Sequence, residues 1–179
     1  QGFRNYFSTD LPIVSETNTL ANTFITTNYY EYLNKYILKS SFYFKNTNSI
    51  TGENVKLSER LSLPSNRLRG FERGKIGPKD GNDFIGGNYV ASLNFSSDVP
   101  KLLENSQTTD LIIFLDIANV WGVDYDSNLE KSDDIKSAVG IGLDWFTPVG
   151  PLNFTLSQPL SKGSNDITES FRFNLGTTF

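Results

Sequence analysis

The chain contains no cysteine, no histidine and no methionine in 179 residues. Without cysteine there is neither a disulfide framework nor a thiolate metal site. The lack of histidine removes imidazole-based triads and most transition-metal sites. An opening of "QGFRNYF", with no initiator methionine and no leader, reads as a piece of a longer chain. Apolar runs of roughly 18 residues, the least a membrane-crossing helix needs, are missing as well. The formal net charge of −4 supplies no general basic surface for nucleic acid. Nothing in the residue types assembles a catalytic constellation, so the expectation is a protein that is not an enzyme and takes no cofactor. Asp124, Asp126, Glu130, Asp133 and Asp134 fall close together; they read as a solvated acidic loop rather than a cation site.

What is present is aromatic and alternating. Phenylalanine occurs 14 times and tyrosine 8 times, yet the mean hydropathy is −0.32. That combination fits membrane-crossing β-strands, in which apolar and polar residues take turns and the averaged signal stays weak. The final stretch, "ESFRFNLGTTF", sets Phe171, Phe173, Leu175, Thr177 and Phe179 on one face and Arg172, Asn174 and Gly176 on the other. Its length is about what a tilted strand needs to cross a bilayer. "NYVASLNF" (88–95), "DLIIFLDIANVW" (110–121), "SAVGIGLDWF" (137–146) and "GPLNFTLSQP" (150–159) alternate in the same way, and Asp116 shares a face with Ile112, Phe114 and Ala118. Three earlier stretches, "GFRNYFSTDLPI", "NTFITTNYYEYL" and "KYILKSSFYFKN", bring the count to about eight strands. Tyr89, Trp121, Trp145, Phe146 and Phe179 suit aromatic girdles at the membrane interfaces. A soluble β-sandwich also uses short alternating strands. The strand lengths and outward faces of Phe, Leu, Ile and Trp argue for the membrane barrel instead.

One connection is far longer than the rest, from about residue 47 to 86, and connections of that length are usually functional or disordered. It contains "RLRGFERGKIGP" (67–78), three arginines and a lysine set among glycines. The segments "LRGFERGKIGP" (68–78), "GGNYVASLNF" (86–95), "FLDIANVWG" (114–122) and "SAVGIGLDWFTPVGPLNFTLSQPL" (137–160), followed by "FRFNLGTTF", together resemble the bacterial surface antigen family of outer-membrane β-barrel assembly factors. The likeness covers essentially the whole chain, in the family's order.

That resemblance implies an all-β fold: the last eight or so strands of a sixteen-stranded antiparallel barrel, as an open half-barrel. Residues 1–46 would supply three strands, 47–86 the sixth extracellular loop, and 87–179 five strands ending in the β-signal that marks outer-membrane barrels. The loop would fold into the lumen and dock its tip, Arg69, Gly70 and Phe71, on the inner wall. Asp116 stands at the family's partner position, and Asn94 occupies a place where the family usually has a second acid; Asn94 is expected to accept a hydrogen bond from Arg69. Phe171, Phe173, Leu175, Gly176 and Phe179 would form the β-signal strand of a lateral gate. The implied partners are unfolded outer-membrane clients, outer-membrane lipids and assembly lipoproteins that bind through periplasmic POTRA domains. Other functions are a related translocation or autotransporter-assembly factor, a two-partner secretion transporter, and a passive porin-like channel. The loop reading makes a prediction: Asp116→Ala will expose the 47–86 loop to protease more than Asn94→Ala, because only the aspartate supplies a charge. Equal cleavage in the two variants counts against it.

Overall fold

The computed structural model describes residues 1–12, 18–33, 36–99, 108–126, 129, 134–148 and 150–176. Ten strands are present among them: β1 (Gly2–Asp10), β2 (Thr19–Tyr32), β3 (Tyr36–Ser49), β4 (Lys79–Asp80), β5 (Asp83–Phe84), β6 (Tyr89–Asp98), β7 (Thr109–Trp121), β8 (Lys136–Thr147), β9 (Gly150–Ser161) and β10 (Phe171–Leu175). The single helical element described is a 3₁₀ turn at Leu57–Glu59. Eight strands form one sheet in the order β1-β2-β3-β6-β7-β8-β9-β10, every neighbour antiparallel. The fold is therefore an eight-stranded antiparallel sheet in which chain order and spatial order agree. β4 and β5 make a small separate hairpin inside the long connection.

Period-two alternation positions the side chains. Phe3, Phe7, Phe24, Leu93, Phe95, Ile113, Val139, Ile141, Trp145, Leu156, Phe171, Phe173 and Leu175 are all exposed on the outer face. On the inner face Ser41, Tyr43, Thr47, Val90, Ser92, Phe114, Asp116, Ala118, Val120, Ala138 and Thr155 are buried. The outer face is thus apolar and uncovered, while the inner face mixes polar and apolar groups and is covered over its central strands. A soluble sandwich has the opposite polarity on its uncovered faces. Water cannot hydrate such an outer face cheaply, and a bilayer can.

What covers the inner face is the connection from β3 to β6. Leu63, Leu68, Phe71 and Ile76 from this loop pack with Tyr43, Val90, Ala118, Val120 and Ala138 of the sheet in one buried cluster. The hydrophobic core therefore lies between loop and wall. The remaining irregularity has a local cause. Between β8 and β9 the register shifts, so that Ser137 faces Ser161 and Ala138 faces Pro159. Proline has no N–H to give to the ladder, and the extra residue forms a bulge beside it.

The connections between β3 and β6, β7 and β8, and β9 and β10 lie at one end of the sheet, and the one between β3 and β6 is by far the longest. The tight β8–β9 turn, where the Thr147 hydroxyl donates to the Gly150 carbonyl at 2.6 Å, lies at the other end. Tyr89 and Trp121 face each other in the register at the long-loop end and stack with centroids 5.8 Å apart. Trp145 pairs with Thr109 at the opposite end of β7. At ~3.4 Å per residue, β7 separates these aromatic ends by about 40 Å along the strand, or about 28 Å along the normal at a ~45° tilt. That span matches a hydrocarbon core. Accordingly, Ile141→Arg in the middle of β8 will destabilise the membrane-embedded barrel by about 2–4 kcal/mol, and Leu160→Arg at the loop end of β9 by about 1 kcal/mol or less. Denaturant unfolding in lipid vesicles measures both, and equal penalties would contradict the lipid-facing assignment.

Candidate functional site

The long connection returns across the inner face, and its tip meets β7 through one ion pair. Arg69 donates from Nε to Asp116 Oδ2 at 2.7 Å and from Nη2 to Oδ1 at 2.8 Å, and its backbone N–H adds a third bond to Oδ2 at 3.0 Å. Asp116 is completely buried, whereas the Arg69 side chain keeps 17 % of its surface. The fork geometry is the strongest form this pairing takes. The guanidinium also lies 3.5 Å above the Phe114 ring centroid, so the residue two before Asp116 supports the same cation. Removing one partner of such a pair leaves the other charge buried, which typically costs about 3–5 kcal/mol.

Asn94 completes the carboxylate's shell in a way that differs from the expectation. It accepts nothing from the Arg69 side chain. Its amide donates to Asp116 Oδ1 at 2.8 Å and to the Arg67 carbonyl at 2.7 Å, while its own oxygen is occupied by the Ser92 hydroxyl at 2.9 Å. The charged acceptor beside it takes the guanidinium, and the neutral amide is left to act as donor. Arg67 turns the other way, donating to the Ser41 hydroxyl at 2.8 Å and lying over the Tyr43 ring. Burial pushes its guanidinium below the usual value.

Gly70 has φ +91°, and a Cβ there would stand 3.0 Å from the Ala138 Cβ and 3.3 Å from the Ser157 Cβ. Only glycine allows both the left-handed backbone and this approach to β8 and β9. Phe71 is 2 % exposed and pairs across an isolated bridge with Thr168. Around that bridge Glu169 N–H donates to the Gly70 carbonyl at 3.0 Å, Glu72 N–H to the Ile167 carbonyl at 2.9 Å and Ile167 N–H to the Lys75 carbonyl at 3.0 Å. The tip is therefore edge-paired with the connection that leads into β10. Beneath it lies a polar cavity of about 710 Å³, lined among others by Lys39, Arg67, Arg69, Asp144 and Arg172.

A second anchor holds the base of the loop. Asp124, just beyond β7, receives the Val55 N–H at 2.9 Å, the Asn88 amide at 3.1 Å and the Arg60 guanidinium. Partial burial alone would raise its carboxyl. The bonds from Val55, Asn88 and Arg60 outweigh that and hold it below its ordinary value. The acidic loop is thus not simply solvated at this position, and the signal was invisible because Arg60 lies 64 residues away in sequence. Asp124 and Asp134 are not gathered with other carboxylates into a metal-binding group among the described residues. Glu130 and Asp133 lie outside them.

On β10, Phe171, Phe173 and Leu175 face outward, Arg172 inward, and Gly176 follows with φ +114°. Among the described residues the strand pairs with β9 alone and stands at one edge of the sheet, as β1 does at the other. Phe179 lies outside the described residues. The Arg69-Gly70-Phe71 tip and the β10 edge are thus separate places, joined by residues 166–172.

An outward-apolar antiparallel sheet carrying a loop against its inner wall defines a transmembrane β-barrel domain of the outer-membrane type. The chain belongs to the Omp85 superfamily, whose domain model matches residues 1–179. It is similar to the outer membrane protein assembly factor BamA of Neisseria meningitidis serogroup B, at 28 % identity over 63 % of this chain and 17 % of that protein. BamA of Neorickettsia risticii is 29 % identical over 72 % of this chain and 18 % of its own length. A SAM50-like protein of Schizosaccharomyces pombe is 33 % identical over 73 % of the chain and 29 % of its length. The crystal structure of Haemophilus ducreyi BamA lacking POTRA domains 1–3 superposes with a TM-score of 0.83 at 26 % identity, covering 96 % of this chain and 37 % of that one. The chain thus spans less than a third of the length of these curated relatives. Fold and family place it in an outer-membrane β-barrel.

The loop base carries a pH dependence. Because the carboxyl of Asp124 is held below its ordinary value of 3.8, its stabilisation is complete above that value and is lost as the pH falls below it. The loop base will resist protease down to about pH 4 and open to pepsin at lower pH. Asp124→Asn will admit trypsin after Lys56 or Arg60 already at neutral pH. Unchanged cleavage in that variant would show that the anchor is dispensable.

Proposed function

We propose that this chain is the C-terminal part of a barrel that folds and inserts other β-barrel proteins into the outer membrane, without chemical catalysis. The observation that carries this reading is the exposed edge of β10. Arg172, Asn174 and Gly176 occupy the positions bonded to β9, as the bonds from Ser157 N–H to the Ser170 carbonyl and from Gly176 N–H to the Pro151 carbonyl define. By the antiparallel alternation, the N–H and C=O groups of Phe171, Phe173 and Leu175 then point away from β9. A row of unpaired backbone groups is a template for another strand. In the complete barrel this edge meets the first strand, and a client strand adds where that closure is weak.

The docked loop has a complementary part. By fastening Arg69 on β7 and burying Phe71, it keeps the inner wall ordered and stops the lumen being an open pore. Support comes from the superfamily membership and from the names of the bacterial relatives, which are assembly factors for outer-membrane proteins. The partners on this reading are unfolded barrel clients and the surrounding lipids. Assembly lipoproteins would bind through other parts of the parent protein.

A photocrosslinking residue at Leu175, on the β10 edge, in the full-length protein tests this directly. It will capture the terminal strand of a nascent barrel client, whereas the same residue at Ile141, in the paired interior of the sheet, will capture none. Equal capture at both places, or large single-channel conductance with no capture at all, would favour a passive channel.

A further inference from the structure

Arg172 takes no part in the Arg69–Asp116 pair, yet it reaches the loop from the terminal strand. It stands on the inner face of β10 between the outward Phe171 and Phe173. Its Nη2 donates to the Phe71 carbonyl at 2.6 Å and its Nη1 to the Ser65 carbonyl at 3.0 Å. The Nε bonds Glu169 Oε2 at 2.9 Å, and Nη2 lies 2.7 Å from the same oxygen. The side chain is only 15 % exposed, so these bonds are made largely out of water. Ser65 precedes the Arg69-Gly70-Phe71 tip and Phe71 closes it. One guanidinium therefore holds both flanks of the tip.

Three further features tie the same two places together. The tip is edge-paired with residues 167–169, two positions before β10 begins. Gly77 N–H donates to Asp166 Oδ1 at 3.3 Å, and Gly163 N–H to Asp166 Oδ2 at 2.6 Å, so the stem after the tip is held by the same connection. The Ser157 hydroxyl donates to the Glu169 carbonyl at 3.2 Å, which binds that connection to β9. Among the described residues β10 is held to the sheet by its pairing with β9 along Phe171–Leu175.

We propose that Arg172 is a positioning residue that couples the loop tip to the terminal strand: β10 leaves β9 readily only after the tip leaves Asp116. The inference rests on the reading of β10 as the strand at which clients add, and it names what holds that strand to the sheet. The physical reason is geometric. With Arg69 docked, Ser65 and Phe71 present their carbonyls to one planar fork that also binds the Glu169 carboxylate. Neither a lysine nor a glutamine spans that set.

The test is amide hydrogen exchange of the full-length protein in phosphatidylcholine nanodiscs. Arg172→Gln will speed exchange at positions 172, 174 and 176 by about tenfold or more, the factor expected for losing a hydrogen bond to a charged group, with β7 and β8 unchanged. Arg69→Ala, which undocks the tip, will produce the same rise at β10, and the double variant no more than the larger single one. An unchanged β10 after Arg69→Ala, or additive effects in the double variant, overturns the coupling. If Arg172→Gln loosens β7 and β8 too, Arg172→Lys is read instead, and it must give a smaller rise confined to β10; no rise there is also fatal. Client capture at Leu175 is scored separately: its failure in the unmodified protein sinks the assembly reading, while the exchange result judges the coupling alone.

Discussion

A carboxylate with no exposed surface stands in the middle of the inner wall, and the order of the rest of that wall depends on how its charge is met. Asp116 receives two guanidinium bonds, one backbone N–H and one amide, and all but the Asn94 amide come from the loop. A charge so far from water is tolerable only when it is paired and fully hydrogen-bonded. The loop therefore cannot lie just anywhere over the lumen. Once Arg69 is in place, Gly70 is forced against Ala138 and Ser157, Phe71 is buried, and the tip's remaining backbone groups fall opposite residues 167–169.

This arrangement divides the molecule's energetics into two independent problems. Outside, an apolar face is solved by lipid, and its requirement is only that outward residues be apolar at the right depth. Inside, a polar wall needs specific partners, since each buried polar group without a hydrogen bond is costly. The loop supplies them: Arg69 for Asp116, the Arg67 carbonyl for Asn94, Arg67 itself for Ser41, and at the base Arg60 and the Val55 N–H for Asp124. The apolar cluster of Leu63, Leu68, Phe71 and Ile76 adds non-directional burial to these directional bonds. Ion pairs select the register of the loop on the wall, and the apolar cluster supplies much of the adhesion.

The terminal strand is bonded to the same loop from a distance. Among the described residues β10 pairs with β9, and its inward arginine finds its carbonyl partners in the loop. Loop and terminal strand are thus joined by hydrogen bonds on the inner face, although one is a connection and the other a strand some hundred residues later.

Strand positions and faces were legible in the sequence because alternation is a local property: a residue and its second neighbour share a face whatever the strand pairs with. Phe171, Phe173 and Leu175, or Val139 and Ile141, declare their side within a few residues. The long connection was legible as one break in that rhythm. The meeting of Arg69 with Asp116 was expected from family resemblance, since no spacing rule connects residues 47 apart. Asn94 as donor, the Arg60–Asp124 anchor, the β4–β5 hairpin and the bonds of Arg172 carried no sequence signal, because each depends on the path the loop takes. The sequence by itself determined which side of each strand faces lipid. Only the tertiary structure decided which buried charge each arginine serves, because hydrogen-bond partners are chosen by distance in space, and along this chain those partners lie up to about a hundred residues apart.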